Sequence, residues 1–431
     1  MCKPFIALTL ISVSLIAYFK VAAQREPDQV FMKNIRTTQL IRTGDQLAYP
    51  VISLGSSGSM QLDFDDLDGD VKYYYFTFEM RNADWSPVQT GFFDYVEGFT
   101  SQRITNYRFS SLILSRYTHY QVKFPDQNMV PTRSGNFVLK VFLDGDTSRL
   151  AFTKRFLVVE PGISVAAQIV QPFSQQYFNK SQKIQLVLNS GALNVSYPQQ
   201  QVKVVILQNY RWDNCIHNII PSIVRGNNYE YNSESDCVMP AGKEWRWLNL
   251  RSFRLLSDRV RRQENTNTAY ELFVVPDGPR PSQRYYFYTD YNGRYFLDNT
   301  DNMNPYWNGD YATIHFTFVP PENIPYSNEE LYLFGEITNY GKDDNARMQW
   351  NDEKKLYETT LYLKQGYYDY AYALLNPYDK QPKFDLAMTE GNTWETENEY
   401  LVLAYYRELG GRFDRLMGMA KLNSMLNRPG Q

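Results

Sequence analysis

Tyr73-Tyr74-Tyr75-Phe76-Thr77-Phe78-Glu79-Met80-Arg81-Asn82-Ala83-Asp84-Trp85-Ser86-Pro87 decides the fold class of this 431-residue chain. Tyr74, Phe76, Phe78 and Met80 fall on one side of an extended backbone, and Tyr73, Tyr75, Thr77 and Glu79 on the other. This period of two marks a strand with one buried face. Asn-Ala-Asp-Trp-Ser-Pro then supplies turn formers around a large aromatic anchor.

Outward from this segment, short strands alternate with turn signals. Met60, Leu62 and Phe64 alternate before Asp66-Leu67-Asp68-Gly69-Asp70, which predicts a hairpin with the segment running back from Tyr73 to Met80. Phe137 to Phe142 and Phe152 to Val159 predict a second pair around Asp144-Gly145-Asp146, and Pro161-Gly162 closes the unit. Beyond it, Ile184 to Leu188, Val202 to Leu207, Ala269 to Val275 and Ala312 to Val319 read as strands. The segment from Tyr285 to Phe296 reads as a hairpin turning at Asn292-Gly293. Leu331 to Phe334, Leu356 to Leu363 and Tyr367 to Leu375 have the spacing of a small sandwich. Only Leu416, Ala420, Leu422 and Met425 hint at a helix, a short terminal one.

The expected fold is all-β, with about three tandem immunoglobulin-like β-sandwich domains after an N-terminal signal peptide. Residues 1–23 read as that signal, with Lys3, an apolar run from Phe5 to Phe19 and the small residues Val21-Ala22-Ala23 before cleavage at Gln24. The domains are expected at 24–160, 161–325 (with a loop-rich insert) and 326–431. Aromatics make up 16% of the chain, including 35 Tyr, as suits strands with one wet face. The net charge of −3 is too small to suggest nucleic acid as a partner. With Cys2 removed, Cys215 and Cys237 form an even pair in an oxidising compartment. They are a candidate disulfide.

The chemical motifs are weak. Asp66-x-Asp68-x-Asp70 opens like a calcium loop but has Val71 and Thr77 where Gly and Glu are needed, and so reads as a solvated turn. His119, within Tyr117-Thr118-His119-Tyr120, is expected to pack or hydrogen-bond there. Neither a nucleophile elbow, a zinc-protease motif nor a phosphate loop is present. Catalytic residues, metal ligands and cofactors are therefore all expected to be absent. Arg251, Arg254, Arg259, Arg261 and Arg262 read as a solvated strand face, with a partner-binding patch as the alternative.

Several segments in fixed order resemble the plug protein family of the type IX secretion system. They are Asn82-Ala83-Asp84-Trp85-Ser86-Pro87, Tyr117-Thr118-His119-Tyr120, Ser134-Gly135-Asn136, Tyr291-Asn292-Gly293-Arg294-Tyr295 and Tyr405-Tyr406-Arg407-Glu408-Leu409-Gly410-Gly411-Arg412-Phe413-Asp414. One departure is Met80-Arg81, where the family typically has His-Cys. The resemblance implies a periplasmic protein, associated with the outer membrane through one partner. That partner is the very large secretion barrel, whose opening the protein would occlude without chemistry. Asn82, Asp84, Trp85, Tyr117 and His119 would then be structural. An alternative rests on Leu333 to Tyr340 and Lys364 to Tyr372, which look like glycogen-binding sandwich modules. Under that reading Tyr340, Trp350 and Trp394 would stack on sugars.

Overall fold

Strand Tyr74–Arg81 alternates buried and half-buried side chains along its whole length, as the period of two requires. It belongs to a computed structural model that describes residues 28–300, 303–343 and 345–427. The signal expected at 1–23 lies outside those residues. The described chain is β throughout, with helix confined to single turns such as Pro198–Gln201 and Pro305–Asn308. Among the described residues, no helix is long and apolar enough to cross a membrane.

The first sandwich packs two sheets. One has the order Ile35–Arg42, Met60–Asp66, Thr118–Phe124, Asn106–Phe109; the other has Val51–Ser53, Leu150–Val159, Gly135–Leu143, Tyr74–Arg81, Gln102–Arg103. The pair around Asp144-Gly145 forms as expected, Phe137 opposite Phe156. The hairpin expected between Met60 and Met80 does not. Met60–Asp66 pairs with Ile35–Arg42 and Thr118–Phe124, whereas Tyr74–Arg81 pairs with Gly135–Leu143 in the opposite sheet. Both strands present apolar rows to the same core, so they face each other across it. Phe64 meets Tyr74 edge to face at 5.1 Å and stacks on Tyr120 at the same separation.

Three further sheets cross the expected boundary at 325/326. Val202–Gln208 pairs along its full length with Glu399–Tyr406, and Arg415–Asn423 adds outside it. This sheet covers a second one built on Ser164–Val170, Ser181–Asn189, Asn228–Tyr231 and Ile223–Arg225. Ile184, Leu186, Val204, Ile206, Val402 and Met417 are among the residues of the core between them. Between these two halves of the second sandwich, a third is inserted. Its sheets centre on Gly366–Leu375, paired with Arg246–Asn249, Tyr295–Leu297 and Glu330–Phe334, and on Tyr311–Phe318, paired with Tyr270–Val274 and Leu356–Lys364.

Two local expectations change for the same reason. The segment from Tyr285 to Asp290 forms no strand, and Tyr295–Leu297 pairs instead with Gly366–Leu375. The expected terminal helix is the strand Arg415–Asn423. Leu416 and Leu422 point into different cores while an open sheet edge at Glu399–Tyr406 takes the backbone, and tertiary pairing outweighs the helical spacing.

Candidate functional site: the junctions between sandwiches

The Asn82 turn is built from its own side chains. Asn82 Nδ2 donates to Ser86 Oγ and to the Pro87 carbonyl, both at 3.1 Å, while Asp84 Oδ1 accepts from the Ser86 amide at 3.0 Å. Trp85 takes the left-handed conformation, φ +65°, at the tip. That geometry swings its ring out of the first sandwich onto Trp212 of the second, edge to face at 4.8 Å, with the Arg155 guanidinium 4.8 Å from its centroid.

Three of the quoted segments converge here, although the last, Tyr405 to Asp414, is more than 250 residues from the other two. Arg407 Nη2 donates to Asn82 Oδ1 at 2.7 Å, and Arg407 Nε donates to Asp414 Oδ1 at 2.8 Å. The fully buried Asp414 also accepts from the Ala83 amide and from Lys203, each at 3.0 Å. Asn136 Nδ2 reaches the Asn82 carbonyl at 3.0 Å, and the Tyr405 hydroxyl donates to Asn136 Oδ1 at 2.6 Å. Beside them, Ser134 and Arg415 both donate to Glu160. Burial would raise the Glu160 carboxyl, but those two hydrogen bonds outweigh it and hold it low.

The other two segments tie the first sandwich to the third. Tyr117 donates to the Gly309 carbonyl at 2.7 Å. His119 lies between Asp65, 2.8 Å from its Nδ1, and Asp63, 3.2 Å from its Nε2. Across the joint, Lys364 Nζ and the Tyr311 hydroxyl each reach Asp65 Oδ2 at 2.6 Å. Burial lowers the affinity of His119 for a proton, yet the hydrogen bonds to Asp63 and Asp65 outweigh it and raise the pKa. For Asp65, burial alone would raise the pKa; Lys364 and His119 keep it low. In the segment from Tyr291 to Tyr295, Gly293 has φ +80°, and a Cβ there would lie 2.7 Å from the Trp245 ring. Arg294 stacks over Tyr49 of the first sandwich at 4.6 Å. A cleft of about 90 Å³ is left where the three sandwiches meet, lined by Tyr49, Arg155, Trp212, Glu336 and Tyr340.

The remaining candidates scatter. Tyr340 lines that cleft and packs on Phe334 at 5.7 Å. Trp350 packs edge to face on Tyr357 in the third sandwich, and Trp394 packs against the core of the second. The three rings share no platform. Cys215 and Cys237 are free thiols rather than the expected disulfide: Cys237 is buried in the second core and Cys215 packs in the cluster around Leu207 and Tyr405. Asp66, Asp68 and Asp70 do gather, but Lys72 Nζ sits among them, 2.8 Å from Asp66 and 3.4 Å from Asp70. Of the arginine cluster, Arg259 is committed inward to Asp277 and Tyr370 at 2.6 and 2.8 Å. Arg407 and Lys364 lie in segments quoted above, with no role legible in either; Asp63 and Asp65 show in the sequence only as charged residues inside a strand pattern.

Fold and junctions define a class: an all-β protein of several sandwiches whose signature side chains weld the units together. Residues 35–160 match the family model of the type 9 secretion system plug protein 1st domain. The chain thus carries, over residues 35–160, a first domain like that of the type IX secretion plug proteins. A crystal structure of a hypothetical protein from Parabacteroides merdae is similar over 92% of this chain and 98% of its own, at 28% identity and a TM-score of 0.86. No curated protein matches the chain in sequence.

Proposed function

We propose that the chain is a periplasmic plug that binds the giant outer-membrane barrel of the type IX system and blocks its opening when no cargo is engaged. The observation that carries this reading is the match of residues 35–160 to the plug first domain. The junctions support it, because an obstacle to an aqueous pore must hold its shape. A buried ion pair, Lys364–Asp65, ties the first sandwich to the third, and hydrogen bonds of Arg407, Asp414 and Tyr405 tie the first to the second. A compact chain of this length has a radius of gyration of about 22 Å and is roughly 55 Å across, enough to obstruct a wide barrel.

The mechanism is steric and non-catalytic. Cargo, or a cargo-carrying subunit, displaces the plug by binding the open barrel more tightly than the plugged one. Purification of a tagged copy from solubilised outer membranes tests the reading. Recovery of one very large barrel protein in near-equal amount is expected; recovery of the chain alone would overturn it.

A further inference from the structure

Strand Asn106–Phe109 ends its sheet and pairs only with Thr118–Phe124, so its outer edge is unpaired among the described residues. All four of its residues are exposed. Proteins commonly blunt such edges with Pro, a bulge or a covering loop; here apolar rings stand beside the edge instead. Tyr107 and Phe109 lie on one side of the strand with ring centroids 6.2 Å apart, while Arg108 stacks over Trp307 at 4.4 Å on the other.

The loop that follows is anchored, not loose. The Ser111 amide donates to the Trp307 carbonyl, and the Leu114 and Ser115 amides donate to the two oxygens of the buried Asp310 at 2.9 Å. At its tip Leu112 takes φ +64°, costly for leucine, and is 84% exposed. The fold thus holds an apolar side chain out into solvent beside an open strand edge.

Charge specifies the partner. Residues 98–125 hold Arg103, Arg108, Arg116 and Lys123 and not one Asp or Glu, in a chain that is acidic overall. None of the four cations has an ion-pair partner among the described residues; Arg103, for example, stacks on Tyr73. The other fully exposed edge, Ile223–Arg225, differs: its Arg225 faces Glu230 at 3.7 Å.

We propose that the outer edge of Asn106–Phe109 takes up one strand from an extended, acidic segment of a partner protein, in which apolar residues alternate with carboxylates. Main-chain hydrogen bonds supply the pairing; Tyr107, Phe109 and Leu112 receive the apolar residues, and the four cations select for acid. This holds whichever protein supplies the strand, so failure to recover a barrel would leave it standing.

The probe is a fluorescein-labelled short peptide of alternating Val and Glu, added to the full chain and followed by anisotropy. Binding that weakens with salt is expected, with the Val-Lys peptide and a Glu peptide N-methylated at alternate amides each at least about tenfold weaker. Arg103→Glu with Arg108→Glu should also weaken it about tenfold at unchanged melting temperature. Tyr107→Pro should abolish it. The N-methylated peptide asks the same question of the unaltered chain, should the proline variant fail to fold. Equal binding of Glu and Lys peptides, undiminished binding after N-methylation, or no binding up to about 1 mM overturns the proposal.

Discussion

Lys364 and Asp65 are both buried, 2.6 Å apart, in the joint between the first and third sandwiches. Removing one partner strands the other charge in a dry site, which costs about 3–5 kcal/mol. Urea denaturation of Lys364→Met should show a loss of that size. Adding Asp65→Asn to it should recover part of the loss, because the orphaned carboxylate is gone; a fully additive pair would contradict the coupling. The thiols give a second residue-scale test. Burial raises the pKa of both cysteines. Maleimide should leave Cys237 unmodified until the chain is denatured, and free-thiol counts should be the same with and without reductant. Sequence made Asp63 and Asp65 visible only as the outward positions of an alternating strand, a pattern that ordinarily means water. Every residue of Met60–Asp66 is buried, because the face opposite the core is covered by another sandwich. Alternation reports which side faces its own core; it is silent about what lies on the other side.

The same limit acts on whole elements. Tyr74–Arg81 was legible because its apolar residues recur at every second position, and Gly135–Leu143 because it is a short, nearly unbroken apolar run bounded by turn residues. Pairing was less so, since a short acidic turn such as Asp66 to Asp70 can join two strands of one sheet or carry the chain between two sheets. At the C-terminus, Leu416, Ala420 and Leu422, at helical spacing, lie in a strand whose neighbour Glu399–Tyr406 pairs in turn with Val202–Gln208, which reads as part of another unit. A chain stopped after Arg407 is expected to lose Arg415–Asn423, uncovering Glu399–Tyr406 and removing Leu416, Met417 and Leu422 from their cores. Open edges of this kind associate. Aggregation of the truncated chain, read by light scattering, is the expected outcome, and a soluble, cooperatively melting product would refute it.

At the scale of the whole molecule, buried carboxyls set the response to pH. Burial, reinforced by Glu397 and Glu244, raises Asp290 to about 7, and burial with Asp290 raises Asp369. Between the unfolded value of about 4 and these folded values the native state holds more protons, so stability falls as pH rises. His119, also raised, has the same sign: its contribution is lost as pH climbs above its folded value. Glu390 is opposite. Burial would raise it, but Arg246 and Arg280 hold it at about 2, so its contribution disappears as pH falls from about 4.5 to 2. Melting temperature should therefore peak on the acid side of neutrality and decline from pH 6 to 8; a rise over that interval would refute this. The sequence disclosed the β class and the plug resemblance. It concealed the insertion of the third sandwich, since strand periodicity carries no record of which distant strand is a neighbour. That insertion also fixes an order of events during synthesis. A ribosome delivers residues 399–423 only after the whole third sandwich, yet one of the two sheets of the second sandwich is incomplete without them. Until those residues emerge, Val202–Gln208 waits with one edge open, and a chain terminated before them never reaches the finished shape. Folding itself thereby checks that synthesis has carried past the strand Arg415–Asn423.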